Sequence, residues 1–497
     1  MLTNKFSKTK IYIIIFLTIF MVLLIDSTYS PINFRRMHVD SSVYVTIAQG
    51  ITRGYVPYRD FVDNKGPLAY LISVPGLYFG GFTGLWITEY IFMCVFVFFA
   101  FKTALFFGKF YMALFGTMLS CLALLAFSTV NAGTEEYSLP FLMISLYIFT
   151  KYFFSPEQKV HFHELLILGI CFACAIMIRL NMFPLWAGFC LVIFVELVKN
   201  RHFALLGKYI LGFCLGIIIV FIPVFLYLEV NGIINDFFEQ VVFGGAARGF
   251  STSSNGIKEI SKNFYVVINR NLSVIPLAFG IFMAAIKFKQ NSFTFYFGYT
   301  VSYLLMLLFL SFSIGGSHYN MVLIPFFVPA LVFIAGSAYS LLSNSEIKTK
   351  KIMLVLFFFV IFSEGLLMFF YNATKIVHDE SGKMLINAGK MIDENTKPGD
   401  KIISLGYNGY IYPFTKRDAA SKYVYQGSGL NYIAGAEEKF ISAILNTKPA
   451  IIAIFTAEDG DGSGQYMENW HKPIFELMEQ EYRFLSGENG VKLFIRR

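Results

Sequence analysis

Apolar stretches of roughly membrane-spanning length follow one another along the first three quarters of the chain. A bilayer core needs about 20 consecutive apolar residues in a helix, and the runs that approach or reach this length are Ile11–Leu24, 85–107, 110–130, 137–154, 163–178, 181–197, 209–230, 271–286, 292–313, 320–342 and 352–371. Of the 497 residues, 56% are hydrophobic and 14% are charged, whereas a soluble domain carries roughly 25% charged residues. The sequence therefore excludes an ordinary soluble enzyme and predicts an α-helical polytopic membrane protein with about 11 transmembrane helices.

Charged residues are distributed unevenly between two parts of the chain. Residues 1–371 contain 41 of the 72 charged residues, and the last 126 residues contain the other 31. The second part has the charge density of a domain that lies in water. We therefore expect a transmembrane domain over residues 1–371 and a small soluble α/β domain over residues 372–497.

The first apolar run and the short basic connections predict the orientation in the membrane. Ile11–Leu24 follows three lysines, and no small-residue cleavage site comes after it, so we interpret it as a retained signal-anchor with a cytoplasmic N-terminus. Every second connection is then cytoplasmic, and these connections are short and rich in lysine, as the positive-inside rule requires. The long loops over 28–84 and 231–270, together with the C-terminal domain, are predicted to be extracytoplasmic, on the outer face of the plasma (inner) membrane.

Residue patterns in the loops and the tail predict local structure. The apolar segment Pro67–Tyr78, interrupted by Pro75 and Gly76, predicts a helix that lies in the outer interface of the membrane. The Gly-rich middle of the second long loop suits a lid, although an ordinary linker explains it equally well. In the tail, helical patterns cover 381–394, 436–446 and 473–482, and strand patterns cover Lys401–Leu405, Ala450–Phe455 and Val491–Ile495.

The first outer loop holds the densest group of ionisable residues. It places Asp40 soon after the first span, and then Asp60, Asp63 and Lys65 before a Gly-Pro step. Ionisable groups at a membrane boundary are costly, so a group of them indicates a functional site. A solvated helix cap is the alternative for a lone Asp, but three carboxylates and a lysine in one loop favour a function.

Three stretches of the chain resemble a known family of membrane enzymes. The first outer loop combines Asp40 and Tyr44 with the sequence PYRDFVDNKGPL over Pro57–Leu68; a second loop reads NAGTEEYSLPF, and a late segment reads GGSHYNMVLIPFFVP. With the membrane-embedded remainder, these stretches resemble the GT-C superfamily of polytopic glycosyltransferases, which includes the protein O-mannosyltransferases of glycosyltransferase family 39 and the lipid A aminoarabinose transferases. The resemblance implies a sugar donor linked to polyprenyl phosphate.

The same resemblance implies that Asp40 is the general base. In this family the Asp of the first outer loop is the proposed acceptor of the proton that the attacking hydroxyl loses. Displacement in one step, without a protein nucleophile, would invert the anomeric centre, in contrast to retaining hydrolases with two close carboxylates. Tyr44, Asp60 and Asp63 are expected to support the site from the same loop.

The leaving lipid phosphate needs cations that are placed in advance. Lys65, Arg59 and Arg179 are the candidates, and the resemblance puts a matching lysine beside the donor phosphate. For Arg179, which lies in IRLNMF at the predicted outer boundary, the alternative is a snorkelling side chain that anchors a helix end. His318 and Tyr319 could hydrogen-bond the phosphate or a sugar hydroxyl, and a structural His at a helix start is equally compatible.

Two adjacent carboxylates, Glu135 and Glu136, lie in the loop NAGTEEYSLPF. The family has an acidic residue here that supports the site, so one of the two would orient the acceptor or assist Asp40, and the sequence does not choose between them. A solvated pair at a helix N-terminus is the alternative. No cofactor is required by the sequence. Some relatives bind a divalent metal ion in the first loop, and the spacing of the His and Asp residues there leaves such an ion open.

These features predict a glycosyltransferase that moves a sugar from a polyprenyl-phosphate donor to a glycan, lipid or protein acceptor of the cell envelope. A transporter or flippase of lipid-linked sugars is one alternative, and it would place ionisable residues near the bilayer midplane. A polysaccharide polymerase or ligase is another, and it need not carry the first-loop pattern. No nucleic-acid partner is expected, because the basic excess falls in the membrane part, with 25 Lys and Arg against 16 Asp and Glu.

Overall fold

The computed structural model divides the chain into two compact units. It describes residues 8–33, 37–126, 133–245, 247, 257–288, 290, 292–312, 317–344, 367, 370–371, 373–374, 381–406, 409–426, 435–455, 471–488 and 490–497. The first unit, called the helical unit below, comprises Met1–Ser30, Trp86–Leu226 and Gly249–Thr374. The second, called the mixed unit, comprises Pro31–Leu85, Tyr227–Arg248 and Lys375–Arg497. The mixed unit therefore joins parts of both long loops to the C-terminal residues.

Most of the chain is helical, because a backbone in lipid must satisfy its hydrogen bonds within the segment. The helices are Lys8–Asp26 (α1), Val39–Thr52 (α2), Leu68–Leu71 (α3), Ser73–Ala104 (α4), Phe110–Ala126 (α5), Thr134–Phe154 (α6), Phe162–Ile178 (α7), Pro184–Lys199 (α8), Phe203–Val230 (α9), Ile234–Phe237 (α10), Ile257–Asn269 (α11), Val274–Ile286 (α12), Phe293–Ser311 (α13), Ile324–Asn344 (α14), Ser381–Glu394 (α15), Ala436–Thr447 (α16) and Lys472–Glu481 (α17). A π-helix covers Phe238–Phe243, and 3-10 helices cover Leu180–Met182, Arg270–Leu272, Ser317–Leu323 and Tyr412–Phe414.

Six helices among the described residues are long and apolar enough to cross a membrane. They are Thr9–Asp26, Leu68–Ala104, Thr134–Phe154, Phe203–Val230, Phe293–Ser311 and His318–Ser340, and a seventh is added if α11 and α12, bent by 88°, form one broken span. The protein is a multi-pass membrane protein, but the predicted count of 11 spans is not confirmed. Helices α5 and α7 have 17 residues each, which reach about 25 Å of a core about 30 Å thick. The predicted span 352–371 lies almost wholly outside the described residues.

Small residues bring two helices of the helical unit close together. A Cβ atom added at Gly169 on α7 would lie 2.1 Å from the carbonyl oxygen of Phe213, and one added at Gly216 on α9 would lie 2.2 Å from that of Leu166. The two backbones are therefore in direct contact. Such contacts between small residues are a common means of helix association in a membrane, where lipid tails are as apolar as the side chains.

A five-stranded sheet organises the C-terminal part of the mixed unit. Its strands are Lys401–Leu405 (β1), Asp418–Ala419 (β2), Ile451–Phe455 (β3), Tyr482–Glu488 (β4) and Val491–Arg496 (β5), in the order β2-β1-β3-β5-β4. Strand β1 is parallel to β2 and β3, whereas β5 is antiparallel to β3 and β4. All five residues of β3 are buried, as expected for a strand covered on both faces.

The first long loop is attached to this sheet within the mixed unit. The amide of Val62 donates to the carbonyl oxygen of Lys422 at 2.9 Å, and the side chain of Val62 packs against the apolar core of the sheet. Gln49 on α2 donates to the carbonyl oxygen of Pro413 at 3.2 Å. These bonds hold α2 and the loop that follows it in a fixed position on the C-terminal residues.

The predicted elements of the tail are confirmed to within one residue at each end, but two strands were not predicted. Strand β2 has only two residues, and β4 lacks a continuous apolar run. The predicted interruption of Pro67–Tyr78 is wrong in position, because Pro75 lies in the first turn of α4, where proline is tolerated. The non-helical residue is Gly81, with φ 56° and ψ −138°, a conformation that glycine adopts without a steric penalty.

Candidate active-site residues

Asp40 lies in the first turn of α2, in the mixed unit. The preceding residue, His38, caps the helix, and its Nδ1 accepts a hydrogen bond from the Asp40 amide at 3.3 Å. The side chain of Asp40 is partly buried. The N-terminus of a helix carries a partial positive charge that stabilises a carboxylate. Asp40 is thus a partly exposed carboxyl group at the start of a helix whose following residues, including Tyr44, are buried.

The segment Pro57–Leu68 is held in shape by hydrogen bonds to its backbone. Tyr58 is buried with a positive φ of 68°, which is rare for a bulky residue. Its hydroxyl donates to the carbonyl oxygen of Lys65 at 2.7 Å, and its own carbonyl oxygen accepts from Gln240 Nε2 at 2.7 Å. Burial, followed by the charge of Asp63, raises the pKa of Tyr58 well above its usual value, so the hydroxyl stays a donor.

Lys65 is 8% exposed and lies beside aromatic rings. Its Nζ donates to Asn64 Oδ1 at 2.6 Å and is 5.9 Å from the ring centroid of Tyr44. Asp63 accepts a hydrogen bond from the hydroxyl of Tyr70 at 2.7 Å, and the ring of Tyr70 is 6.2 Å from that of Tyr44. The structure therefore brings together Tyr44, Asp63 and Lys65, which the sequence had placed in one site.

Arg59 and Asp60 form a separate pair on the same loop. The Arg59 Nη2 and Asp60 Oδ2 atoms are 3.0 Å apart, and the Arg59 side chain is 52% exposed. Asp60 also accepts from the amide of Val56 at 2.7 Å. Burial would raise the pKa of Asp60, but the hydrogen bonds from Arg59 and Val56 outweigh it, and the pKa is lowered. Roles for this pair at the donor stay predictions.

Glu135 and Glu136 begin α6 in the helical unit and are 6% and 1% exposed. The interpretation of a solvated pair at a helix end is therefore wrong. Glu135 forms an ion pair with Arg179, and its other carboxylate oxygen accepts from the Thr134 hydroxyl at 2.9 Å. The partner that explains the burial of Glu135 is 44 positions away in the sequence.

Arg179 lies between α7 and the short helix Leu180–Met182, with its side chain 11% exposed. Its guanidinium carbon is 4.2 Å from the ring centroid of Tyr319, and the rings of His318 and Tyr319 are 4.3 Å apart. A snorkelling arginine would extend into water, so that alternative is wrong as well. The helical unit instead gathers Glu135, Arg179 and Tyr319 into one buried charged cluster.

Sequence reasoning missed a second buried polar group in the helical unit. Asp26, Ser27 and Glu89 are fully buried, and the Ser27 hydroxyl donates to Glu89 Oε2 at 2.6 Å. Glu89 lies level with the end of α1, because its partner is the first residue after that helix. The available signal was one carboxylate inside an apolar run, which indicates a functional or structural role by default.

The chain shares its fold with solved structures of other proteins over nearly its whole length. It is similar to the crystal structure of ArnT from Cupriavidus metallidurans bound to undecaprenyl phosphate, with a TM-score of 0.60 over 98% of this chain and 97% of that one. It is also similar to the archaeal oligosaccharyltransferase AglB from Archaeoglobus fulgidus in complex with an inhibitory peptide and a dolichol-phosphate, with a TM-score of 0.54 over 99% of this chain and 75% of that one.

Sequence identity to both structures is 11%, a level at which the likeness establishes the fold alone. No family model matches the sequence, and no curated protein matches it either. The resemblance that the loop motifs indicated is thus confirmed for the fold.

Proposed function

We propose that the protein is a membrane glycosyltransferase that moves a sugar from a polyprenyl-phosphate donor to an acceptor of the cell envelope. The observation that carries this proposal is the GT-C fold, shared over 98% of the chain with an ArnT structure bound to undecaprenyl phosphate. The reaction takes place on the outer face of the plasma membrane, where the positive-inside rule places the first loop and the C-terminal residues.

Asp40 acts as the general base in this proposal. An acceptor hydroxyl attacks the anomeric carbon and transfers its proton to the Asp40 carboxylate. The bond between that carbon and the phosphate oxygen breaks, and the lipid phosphate leaves with the electron pair. Since attack and departure occur on opposite faces of the sugar, the anomeric configuration inverts. The position of Asp40 in the first turn of α2, where its side chain is only partly buried, supports this role, because a general base must lie within reach of the acceptor hydroxyl.

Lys65 is proposed to stabilise the leaving phosphate, and the role of Arg179 at the donor stays a prediction from the sequence. Both side chains are nearly buried, and a cation that is shielded from water interacts more strongly with a developing negative charge. Glu135 is a positioning residue that holds the guanidinium of Arg179, and Tyr319 supports the same group from its ring face. His318, Glu136 and a divalent metal ion stay open in this scheme.

The test is transfer from a panel of radiolabelled polyprenyl-phosphate sugars by the purified protein in lipid vesicles. We expect bond cleavage and transfer of label to an envelope extract, with a product of inverted anomeric configuration by NMR. Assays with EDTA and with added magnesium decide the metal requirement. Movement of an intact donor across the bilayer without cleavage would contradict the proposal and favour a transporter, and labelled long-chain glycan would favour a polymerase.

A further inference from the structure

A cavity of about 230 Å³ lies entirely within the mixed unit. Residues of α2, of the loop Tyr55–Phe61 and of the sheet edge formed by β1 and β2 line it. Small-molecule pockets in proteins are typically roughly 300 Å³ and larger, so this cavity suits one substituted sugar ring rather than a long chain. Neither of the proposed steps at Asp40 and Lys65 uses it.

The cavity wall carries an excess of positive charge. Five cationic side chains line it, against the carboxylates of Asp60 and Asp418. The cations are Arg53, Arg59, Lys401, Arg417 and Lys422. Arg417 is 8% exposed and is fixed in the wall, because its guanidinium donates to Thr396 Oγ1 at 2.7 Å and to the Thr396 carbonyl at 2.8 Å and lies 3.8 Å from the Asp393 carboxylate. The net positive charge of the cavity wall favours an anionic occupant.

Three of these polar side chains form a preorganised group. Asp418 accepts from Arg53 Nη1 at 3.1 Å and from the Tyr55 hydroxyl at 2.7 Å. Arg53 Nη2 also donates to the carbonyl oxygen of Thr415 at 3.3 Å. The carboxylate of Asp418 is therefore occupied by protein donors. Among the residues that the structure describes, Lys401 and Lys422 are exposed and form no ion pair, which leaves both ammonium groups available to a ligand.

Aromatic rings complete the wall. Tyr55 and Phe61 meet edge to face with their centroids 5.9 Å apart, and the ring of the buried Tyr412 also lines the cavity. A Cβ atom at Gly50 would lie 2.5 Å from the Phe61 ring, so glycine at this position lets that ring pack flat on α2. Rings beside cations suit a ligand with an apolar C–H face and a charged substituent.

We propose that this cavity binds an anionic saccharide, that is, a sugar ring bearing a phosphate or carboxylate group. The cations bind the charged group, and the aromatic rings contact the C–H face of the sugar. The consequence for catalysis rests on the proposed transferase function. In that function the bound saccharide is part of the acceptor, and the enzyme selects acceptors that carry negative charge.

The test measures binding of glucose 1-phosphate, glucose and inorganic phosphate to the full-length protein in neutral-lipid nanodiscs by isothermal titration calorimetry. We expect glucose 1-phosphate to bind more tightly than either of the other two probes. The double variant Lys401→Gln/Lys422→Gln should weaken its binding roughly tenfold, since each exposed charge pair contributes a factor of up to about five. The matched control is Lys390→Gln/Lys472→Gln, which removes two exposed lysines of the mixed unit that do not line the cavity.

Competition identifies the source of the saccharide. Phosphatidylinositol added to the nanodiscs would displace glucose 1-phosphate if the site takes a lipid headgroup, and would leave its binding unchanged if it takes a free or polymeric sugar. Equal binding of glucose and glucose 1-phosphate, no binding of either, or an equal loss in the control variant would overturn the inference. A protein that binds the probe but transfers no sugar would refute the proposed function and leave the binding site standing.

Discussion

Removal of either member of the buried pair Glu135–Arg179 should destabilise the protein about as much as removal of both. The two side chains are 7% and 11% exposed and in direct contact. Opposite charges in hydrogen-bonding contact attract by about 5 kcal/mol at an effective dielectric constant of about 20. Much of this attraction offsets the free energy that is lost when both charges leave water. In a single variant the remaining charge stays buried without that attraction.

The magnitudes follow from what each variant leaves behind. Glu135→Gln leaves a buried guanidinium, which should cost about 3 kcal/mol of unfolding free energy. Arg179→Met leaves a carboxylate that still has the Thr134 hydroxyl and the helix N-terminus, but it loses the contact with the Tyr319 ring, so we expect a similar cost of about 3 kcal/mol. The double variant leaves no buried charge, and its cost should be about 3 kcal/mol less than the sum of the single costs.

Unfolding in mixed micelles, followed by tryptophan fluorescence, gives the four free energies of this cycle. The matched control is Lys151–Glu164, an ion pair of 2.6 Å in the same unit whose lysine is 33% exposed. Its coupling energy should be about 1 kcal/mol or less, because water screens the pair. Costs that simply add at Glu135 and Arg179, or a coupling energy no larger than in the control, would refute the interpretation of this cluster as a mutually dependent charge pair.

Two further predictions concern the mixed unit. Lys65→Gln should raise the KM for the lipid-linked donor at least about tenfold, because a hydrogen bond to a charged group is lost, with an unchanged KM for the acceptor; equal effects on both substrates in initial-rate assays would contradict a role at the donor phosphate. Burial lowers the pKa of His471 from its ordinary 6.5 to about 4, so the unfolded chain binds a proton between these values and the folded protein does not. The free energy of unfolding therefore falls as the pH falls through this window. At pH 5 the wild type should have lost about 2 kcal/mol relative to His471→Phe, which a comparison of their melting temperatures detects. Parallel pH profiles of the two proteins would show that this histidine is not responsible.

The elements that sequence reasoning located well are those with an unambiguous apolar pattern. Strand β1 was predicted at its observed bounds, because Ile402, Ile403 and Leu405 form a short cluster of β-favouring apolar residues, and all three are buried. Strand β4 ends in the sequence SGE over Ser486–Glu488 after a short apolar part, so its pattern resembled a turn. The count of 11 spans is not confirmed among the described residues, because the length and apolar composition of 17-residue helices such as α5 and α7 do not show whether they cross the bilayer.

For the candidate site, sequence reasoning identified residue types but not their partners. The motif that begins at Pro57 indicated that Lys65 and Asp63 act together. The hydroxyl of Tyr58 donates to the Lys65 carbonyl oxygen and the hydroxyl of Tyr70 donates to the Asp63 carboxylate, and these bonds hold the loop in shape. The burial of Glu135 could not be predicted, since it depends on a contact with Arg179 between residues distant in the sequence. The cavity beside β2 could not be predicted from the sequence either, because its wall combines residues of α2 with residues more than 350 positions later.

Single-turnover transfer of radiolabelled sugar should be compared among the wild type, Asp40→Asn and Asp400→Asn in lipid vesicles. Asp400 is a partly exposed residue just before β1 whose carboxylate accepts a hydrogen bond from the Lys397 amide, so its substitution makes the same chemical change away from the proposed chemistry. We expect Asp40→Asn to insert and unfold like the wild type but to transfer sugar about 10²- to 10⁴-fold more slowly, the range expected for loss of a general base. The Asp400→Asn variant should retain the wild-type rate, whereas a wild-type rate in Asp40→Asn would contradict the assignment of Asp40 as the base.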